Sequence, residues 1–142
     1  MRELRPVGPA DPGLIAMLQA ARLPVDDLAG GGRYFALLEA GRTLAIGGLD
    51  GAGPDQMIRS VVTEPGLRGA GVGREIVEAL AERARAEGVE RLWLLTNSAD
   101  AFFARLGWAA ADRADAPDPI RTSAQFAGLC PSSAVLMWRS LA

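Results

Sequence analysis

"PGLRGAGVGREIVEAL", residues 65–80, sets Gly69, Gly71 and Gly73 at alternate positions and then opens an amphipathic stretch. Glycine loses more backbone entropy on folding than any other residue, so glycines this close together mark backbone that bends sharply or approaches something closely. From Val72 onward, Val72, Ile76, Val77, Leu80 and Ala84 recur at helical spacing, while Arg74, Glu75, Glu78, Glu82 and Arg85 fall on other faces. Gly88 is the expected stop. Ahead of the loop, "QMIRSVVT" (56–63) is a β-branched run that should end as a strand before Pro65. The unit is therefore strand, glycine loop, helix. A helix N-terminus offers backbone N–H groups and the positive end of a dipole, which together suit a phosphate.

Outward from this unit, "RELRPV" reads as a first strand, and Asp11-Pro12 as an N-cap with proline at the first helical position. That helix runs through "GLIAMLQAARL" to Pro24, and "VDDLAGGG" follows as a short turn or loop. "RYFALLEAGRTLAIGGLDG" reads as a hairpin about Ala40-Gly41. Beyond the central helix come a buried strand, "RLWLLT", and a brief helix, "SADAFFARLGW", ended by Gly107. Asp118-Pro119 is a second helix start leading "IRTSAQFAG", and "SAVLMWRSL" is a last strand. The order βαββ(β)αβαβ predicts one α/β domain over residues 1–142, with the glycine unit where such sheets place ligands.

Composition removes whole classes of function. The 142 residues carry a net charge of −2, against the concentrated basic surface that nucleic-acid binding needs. No apolar run is long enough for a membrane helix and the start has no signal-peptide pattern, so a cytoplasmic protein is expected. Cys130 is the single cysteine, which fits a reducing compartment and leaves no cysteine cluster for a metal. All 15 basic residues are arginine and there is no histidine. A Ser/His/Asp triad, a Schiff-base lysine, a His metal site and a Walker lysine are thereby excluded. Chemistry here must run on carboxylates, hydroxyls, backbone amides, arginine or a brought-in cofactor.

The loop does not fit the dinucleotide pattern G-x-G-x-x-G, because the third glycine position holds Arg74 or Ile76. What remains is Arg68-x-x-Gly71-x-Gly73 after "VVTEP", and this resembles the signature of the Gcn5-related N-acetyltransferase (GNAT) superfamily. "FFARLGW" is similar to that family's late helix ending, and the element order is similar to its fold. The resemblance implies a mixed, mainly antiparallel central sheet flanked by helices and splayed at an acetyl-CoA site. It implies that the amides of Gly69, Ala70, Gly71, Val72, Gly73 and Arg74, beside Arg68, hold the coenzyme A diphosphate. Val61, Val62 and Thr63 then meet the pantetheine and the acetyl carbonyl through main-chain groups, and Thr96 lies near the pantetheine. Phe103 stands where many relatives carry a tyrosine that protonates the departing thiolate, a step phenylalanine cannot perform. More narrowly, residues 67–108 and "PIRTSAQFAGLCPSSAVLM" resemble the acetyltransferases encoded with arsenic-resistance genes, and also the acetyltransferase domain of N-acetylglutamate synthases.

Both comparisons imply a small amino acid or amino-acid-like amine as acceptor, with acetyl-CoA as cosubstrate, while composition argues against a metal, nucleic-acid or membrane partner; a homodimer is a further expectation. For the acceptor's carboxylate, arginine is the planar bidentate partner. Arg33, Arg59 and Arg121 are the choices. Arg59 shares strand parity with Val61 and Thr63, and Arg121 opens the segment expected over the acceptor. Glu39 and Glu64 are candidate general bases, beside a water chain. Cys130 and Ser133, in "LCPSSAV", are the candidates to protonate the thiolate in place of residue 103. A non-catalytic acetyl-CoA-binding domain and an acetyltransferase of protein N-termini are the alternative readings.

Overall fold

The computed structural model describes residues 2–23, 25, 32–67, 71–123 and 134–141. Their strands are β1 (Arg2–Val7), β2 (Arg33–Glu39), β3 (Arg42–Asp50), β4 (Asp55–Thr63), β5 (Arg91–Thr96), β6 (Ala109–Ala111) and β7 (Val135–Ser140). Helices are α1 (Pro12–Ala20), α2 (Val72–Ala86), α3 (Asp100–Arg105) and α4 (Asp118–Arg121). The strands form one mixed sheet in the order β1-β2-β3-β4-β5-β7-β6. Its neighbours pair antiparallel, β1 with β2, β2 with β3, β5 with β7 and β7 with β6, while β4 and β5 run parallel.

Two units are distinguished along the chain. The first comprises residues 1–50 and 58–83. Here Asp11 caps α1 by accepting the Leu14 N–H at 3.0 Å, as its position before Pro12 dictates. The helix ends at Ala20, short of the run to Pro24 expected from the sequence, because Arg22 turns left-handed at φ 58°. Ala40 and Gly41, at φ 51° and 79°, make the tight hairpin turn between β2 and β3. Alternation then divides the strand residues between two helices. Tyr34, Ala36 and Ile46 pack with Leu14 and Leu18 of α1, and Val62 lies against the same cluster. Gly47 points the other way, where a Cβ atom would stand 2.6 Å from Leu80 of α2. The predicted apolar stripe of α2 is fully buried, from Val72 through Ile76, Val77 and Leu80 to Ala84.

The second unit comprises residues 51–57 and 84–142. Gly88, at φ 90°, ends α2, and Gly107, at φ 94°, ends α3, whose Phe103 carbonyl accepts the Trp108 N–H at 3.1 Å. The β4–β5 ladder pairs Asp55 with Arg91, Gln56 with Leu92 and Met57 with Trp93. Met57, Trp93, Ala116, Ile120 and Leu136 form one core cluster, and Trp93 stacks on Trp138 at 5.9 Å between ring centroids. Beneath it Asp55, 7% exposed, accepts two hydrogen bonds from the Arg91 guanidinium, at 2.6 and 2.8 Å, and one from the Trp93 indole at 2.9 Å. The expected start of α4 shifts by one residue: Pro117 is the N-cap and Asp118 already lies in the helix. β6 was not expected, and only its pairing with β7 makes "AAA" a strand.

Candidate active site

Within the first unit, β4 passes from core to accessible surface. Residues up to Arg59 are buried and Ser60, Val61, Val62 and Thr63 are half-buried. The change coincides with Ser60, which sits at φ 58° in mid-strand. A left-handed conformation costs a non-glycine residue about 1–2 kcal/mol, and one inside a strand breaks the alternation of side chains between faces.

After Thr63 the chain turns through a 3-10 segment, Pro65–Leu67, with Glu64 N–H bonded to the Leu44 carbonyl and Leu67 N–H to the Glu64 carbonyl, both at 2.9 Å. Arg68, Gly69 and Ala70 lie outside the described residues. Gly71 has φ 81°, and among the described residues a Cβ there would meet nothing within 4 Å, so conformation calls for glycine. The Gly71 carbonyl accepts the Glu75 N–H at 3.1 Å. The N–H groups of Val72, Gly73 and Arg74 therefore precede the first intrahelical bond and have no acceptor inside the helix. Buried Val72 pins this end of α2, while Arg74 is exposed. Glu75, the acid of the first turn, is held by Arg2, which also donates to Glu39 at 3.2 Å. The hydrogen bonds that Arg2 donates to Glu75 and then to Glu39 raise its pKa above the ordinary value.

The candidate arginines differ. Arg59 has a side chain only 1% exposed, with Nη1 3.7 Å from a carboxylate oxygen of Asp50 and Nε donating to Ser60 Oγ at 3.1 Å. The parity expected between Arg59 and Val61 assumed an unbroken strand, and Ser60 interrupts it. Arg121, on α4, is half exposed and pairs with Asp118 one turn earlier. Arg33 opens β2 and is half-buried. Both candidate bases are held by arginines, Glu39 by Arg2 and Glu64 by Arg42, each at 3.2 Å.

In the second unit Thr96 Oγ1 accepts the Ala99 N–H at 3.0 Å, turning the chain from β5 toward α3. Phe103, 8% exposed, packs edge-on against Phe102 and Trp108, with ring centroids 5.1 and 5.7 Å apart. Cys130 and Ser133 lie outside the described residues. Sequence reasoning missed the conformation of Ser60 and the Arg59–Asp50 pair. The available signal was a charged residue at position 59 inside an otherwise uncharged run, "QMIRSVVT".

A partly open strand feeding a glycine turn and a helix N-terminus defines an α/β protein whose surface suits an anionic, phosphate-bearing ligand. Residues 9–108 match the acetyltransferase (GNAT) family, and the chain belongs to it. Among solved structures, N-acetylglutamate synthase from Neisseria gonorrhoeae, complexed with coenzyme A and N-acetylglutamate, superposes with a TM-score of 0.80 at 17% identity, over 100% of this chain and 35% of that one. This chain thus spans about a third of the synthase. Rv2747 from Mycobacterium tuberculosis, in a complex containing CoA, has a TM-score of 0.79 at 20% identity, over 99% of both chains. A GNAT family acetyltransferase from Elizabethkingia anophelis with acetyl-CoA bound has a TM-score of 0.73 at 11% identity, over 98% of this chain and 97% of that one. At these identities the likeness is one of fold. No curated protein matches the sequence.

Proposed function

We propose that this acetyltransferase moves the acetyl group of acetyl-CoA to the primary amine of a small amino acid or amino-acid-like compound. The observations that carry the reading are, in the first unit, half-buried Ser60–Thr63 at the end of β4 and Gly71 at positive φ where α2 begins. Acetyl-CoA supplies an activated thioester. The amides of Gly69 to Arg74, with Arg68 beside them, hold its diphosphate, and the positive end of α2 offsets that charge. Main-chain groups of Val61, Val62 and Thr63 orient the pantetheine and polarise the acetyl carbonyl as negative charge develops on its oxygen. Thr96 and Phe103 are the remaining residues assigned to the coenzyme.

Of the candidate arginines for the acceptor's carboxylate, Arg121 fits better than Arg59, being half exposed where Arg59 faces Asp50. Phe103 has no proton to give, so Cys130 or Ser133 protonates the departing thiolate. The Neisseria synthase, seen with an acetylated amino acid, supports an acceptor of this kind. The resemblance of residues 67–108 to arsenic-resistance acetyltransferases supports a detoxifying role in the cytoplasm.

The test is release of coenzyme A over a panel of amino acids, organoarsenical and phosphinic analogues, and short peptides. Turnover with a free amino acid or its analogue supports the proposal. Turnover with peptides alone makes the protein an N-terminal acetyltransferase, and tight acetyl-CoA binding with no turnover makes it a binding domain.

A further inference from the structure

Two locally unfavourable features are adjacent in β4. Ser60 holds a left-handed φ of 58°, which neither a strand nor a serine favours. Arg59, immediately before it, keeps its guanidinium 1% exposed, and removing such a charge from water is expensive unless it is paired. The two are connected, because Arg59 Nε donates to Ser60 Oγ at 3.1 Å while its Nη1 lies 3.7 Å from Asp50. Asp50 ends β3 and is itself 21% exposed at its side chain. A buried cation anchored on the neighbouring strand thus grips the hydroxyl of the one residue in β4 with a positive φ.

We infer that Arg59 is a positioning residue: anchored by Asp50, it holds Ser60 in the left-handed conformation and so sets the direction of the peptide groups of Ser60 and Val61. The inference rests on the reading of Val61–Thr63 as the strand segment that meets the thioester. Direction matters there because a hydrogen-bond donor polarises a carbonyl only when aimed at it. Strain in a backbone persists when the surroundings over-determine it, and the Arg59–Asp50 pair is that determinant. The role differs from holding an acceptor: Arg59 acts through Ser60 and touches no substrate.

The experiment compares binding of acetyl-CoA and of coenzyme A, by calorimetry, in the wild type, Arg59→Met, Asp50→Asn, Ser60→Gly and Arg59→Met/Ser60→Gly. Coenzyme A lacks the acetyl carbonyl, so its affinity reports an intact fold and diphosphate site. Arg59→Met should bind coenzyme A within about twofold of the wild type but lose about tenfold in acetyl-CoA affinity relative to it, the size of one well-aimed hydrogen bond. Asp50→Asn should shift the ratio in the same direction and keeps the inference testable if Arg59→Met does not fold. Glycine adopts positive φ without a tether, so adding Ser60→Gly should recover most of the loss. A wild-type ratio in Arg59→Met and Asp50→Asn, or no recovery with Ser60→Gly, overturns the inference while leaving the site intact. Failure of the wild type to bind coenzyme A would instead overturn the reading of the site, and this inference with it.

Discussion

Asp55 shows how a single side chain ties sequence-distant strands. Its carboxylate accepts from Arg91 through two nitrogens and from Trp93 through a third, across separations of 36 and 38 residues. The Arg91 hydrogen bonds hold its pKa below the ordinary carboxylate range, against the opposing effect of burial and with help from Trp93. A depressed folded pKa contributes stability that is complete above the unfolded value of about 3.9 and is lost as pH falls through the folded one. Asp55→Asn should therefore cost about 2 kcal/mol in urea unfolding at pH 7, with the gap closing below pH ~4. A gap of the same size at pH 3 would rule out the charged pair as its source. At Arg121 the expected effect is on activity: Arg121→Ala should raise the acceptor KM by about tenfold or more, the worth of a partly desolvated bidentate contact, and leave the acetyl-CoA KM alone. An unchanged acceptor KM would remove Arg121 from the site.

Among the elements, α2 is positioned by what β3 lacks. A Cβ on Gly47 would lie 2.6 Å from Leu80 Cδ1, 3.4 Å from Val61 and 3.7 Å from Ile76, and Leu80 and Ile76 are fully buried. Helix and strand approach this closely only because the strand carries glycine there, and α2 is the helix whose N-terminus forms the candidate diphosphate site. Gly88 is glycine for another reason, since its φ is 90° and a Cβ there would meet nothing. Gly47→Ala should cost about 1–3 kcal/mol by overpacking and also weaken coenzyme A by displacing α2. Gly88→Ala should cost about 1 kcal/mol by conformation alone and leave binding unchanged. Equal effects of both variants on coenzyme A affinity would show that the Gly47 contact does not set the position of α2.

For the whole molecule, a ligand that binds only the folded state raises stability by mass action, by about 2.7 kcal/mol at a hundred times Kd. Coenzyme A at that excess should raise the Tm of the wild type by several degrees. Gly71→Glu places bulk and negative charge on a glycine at φ 81°. It should abolish the rise while the ligand-free Tm drops only by the strain of one left-handed residue. An undiminished rise in Gly71→Glu would move the diphosphate away from α2.

Much of this architecture was legible in the residues because its determinants are local. Asp11 before Pro12, the positive-φ pair Ala40-Gly41, and the terminators Gly88 and Gly107 act on backbone within a few positions of themselves, and all stand where the sequence placed them. The apolar period of residues 72–84 decided which side of α2 is buried. Alternation failed at Ser60, because a left-handed φ imposed by the surroundings leaves no mark in composition. The strand Ala109–Ala111 has no propensity of its own and exists through Trp138, Met137 and Leu136 opposite it. The Arg59–Asp50 and Asp55–Arg91 pairs likewise depend on which strands lie side by side. Local backbone preference and hydrophobic period are written along the chain, whereas the partner of a buried charge is chosen by strand order, which only the tertiary structure decides.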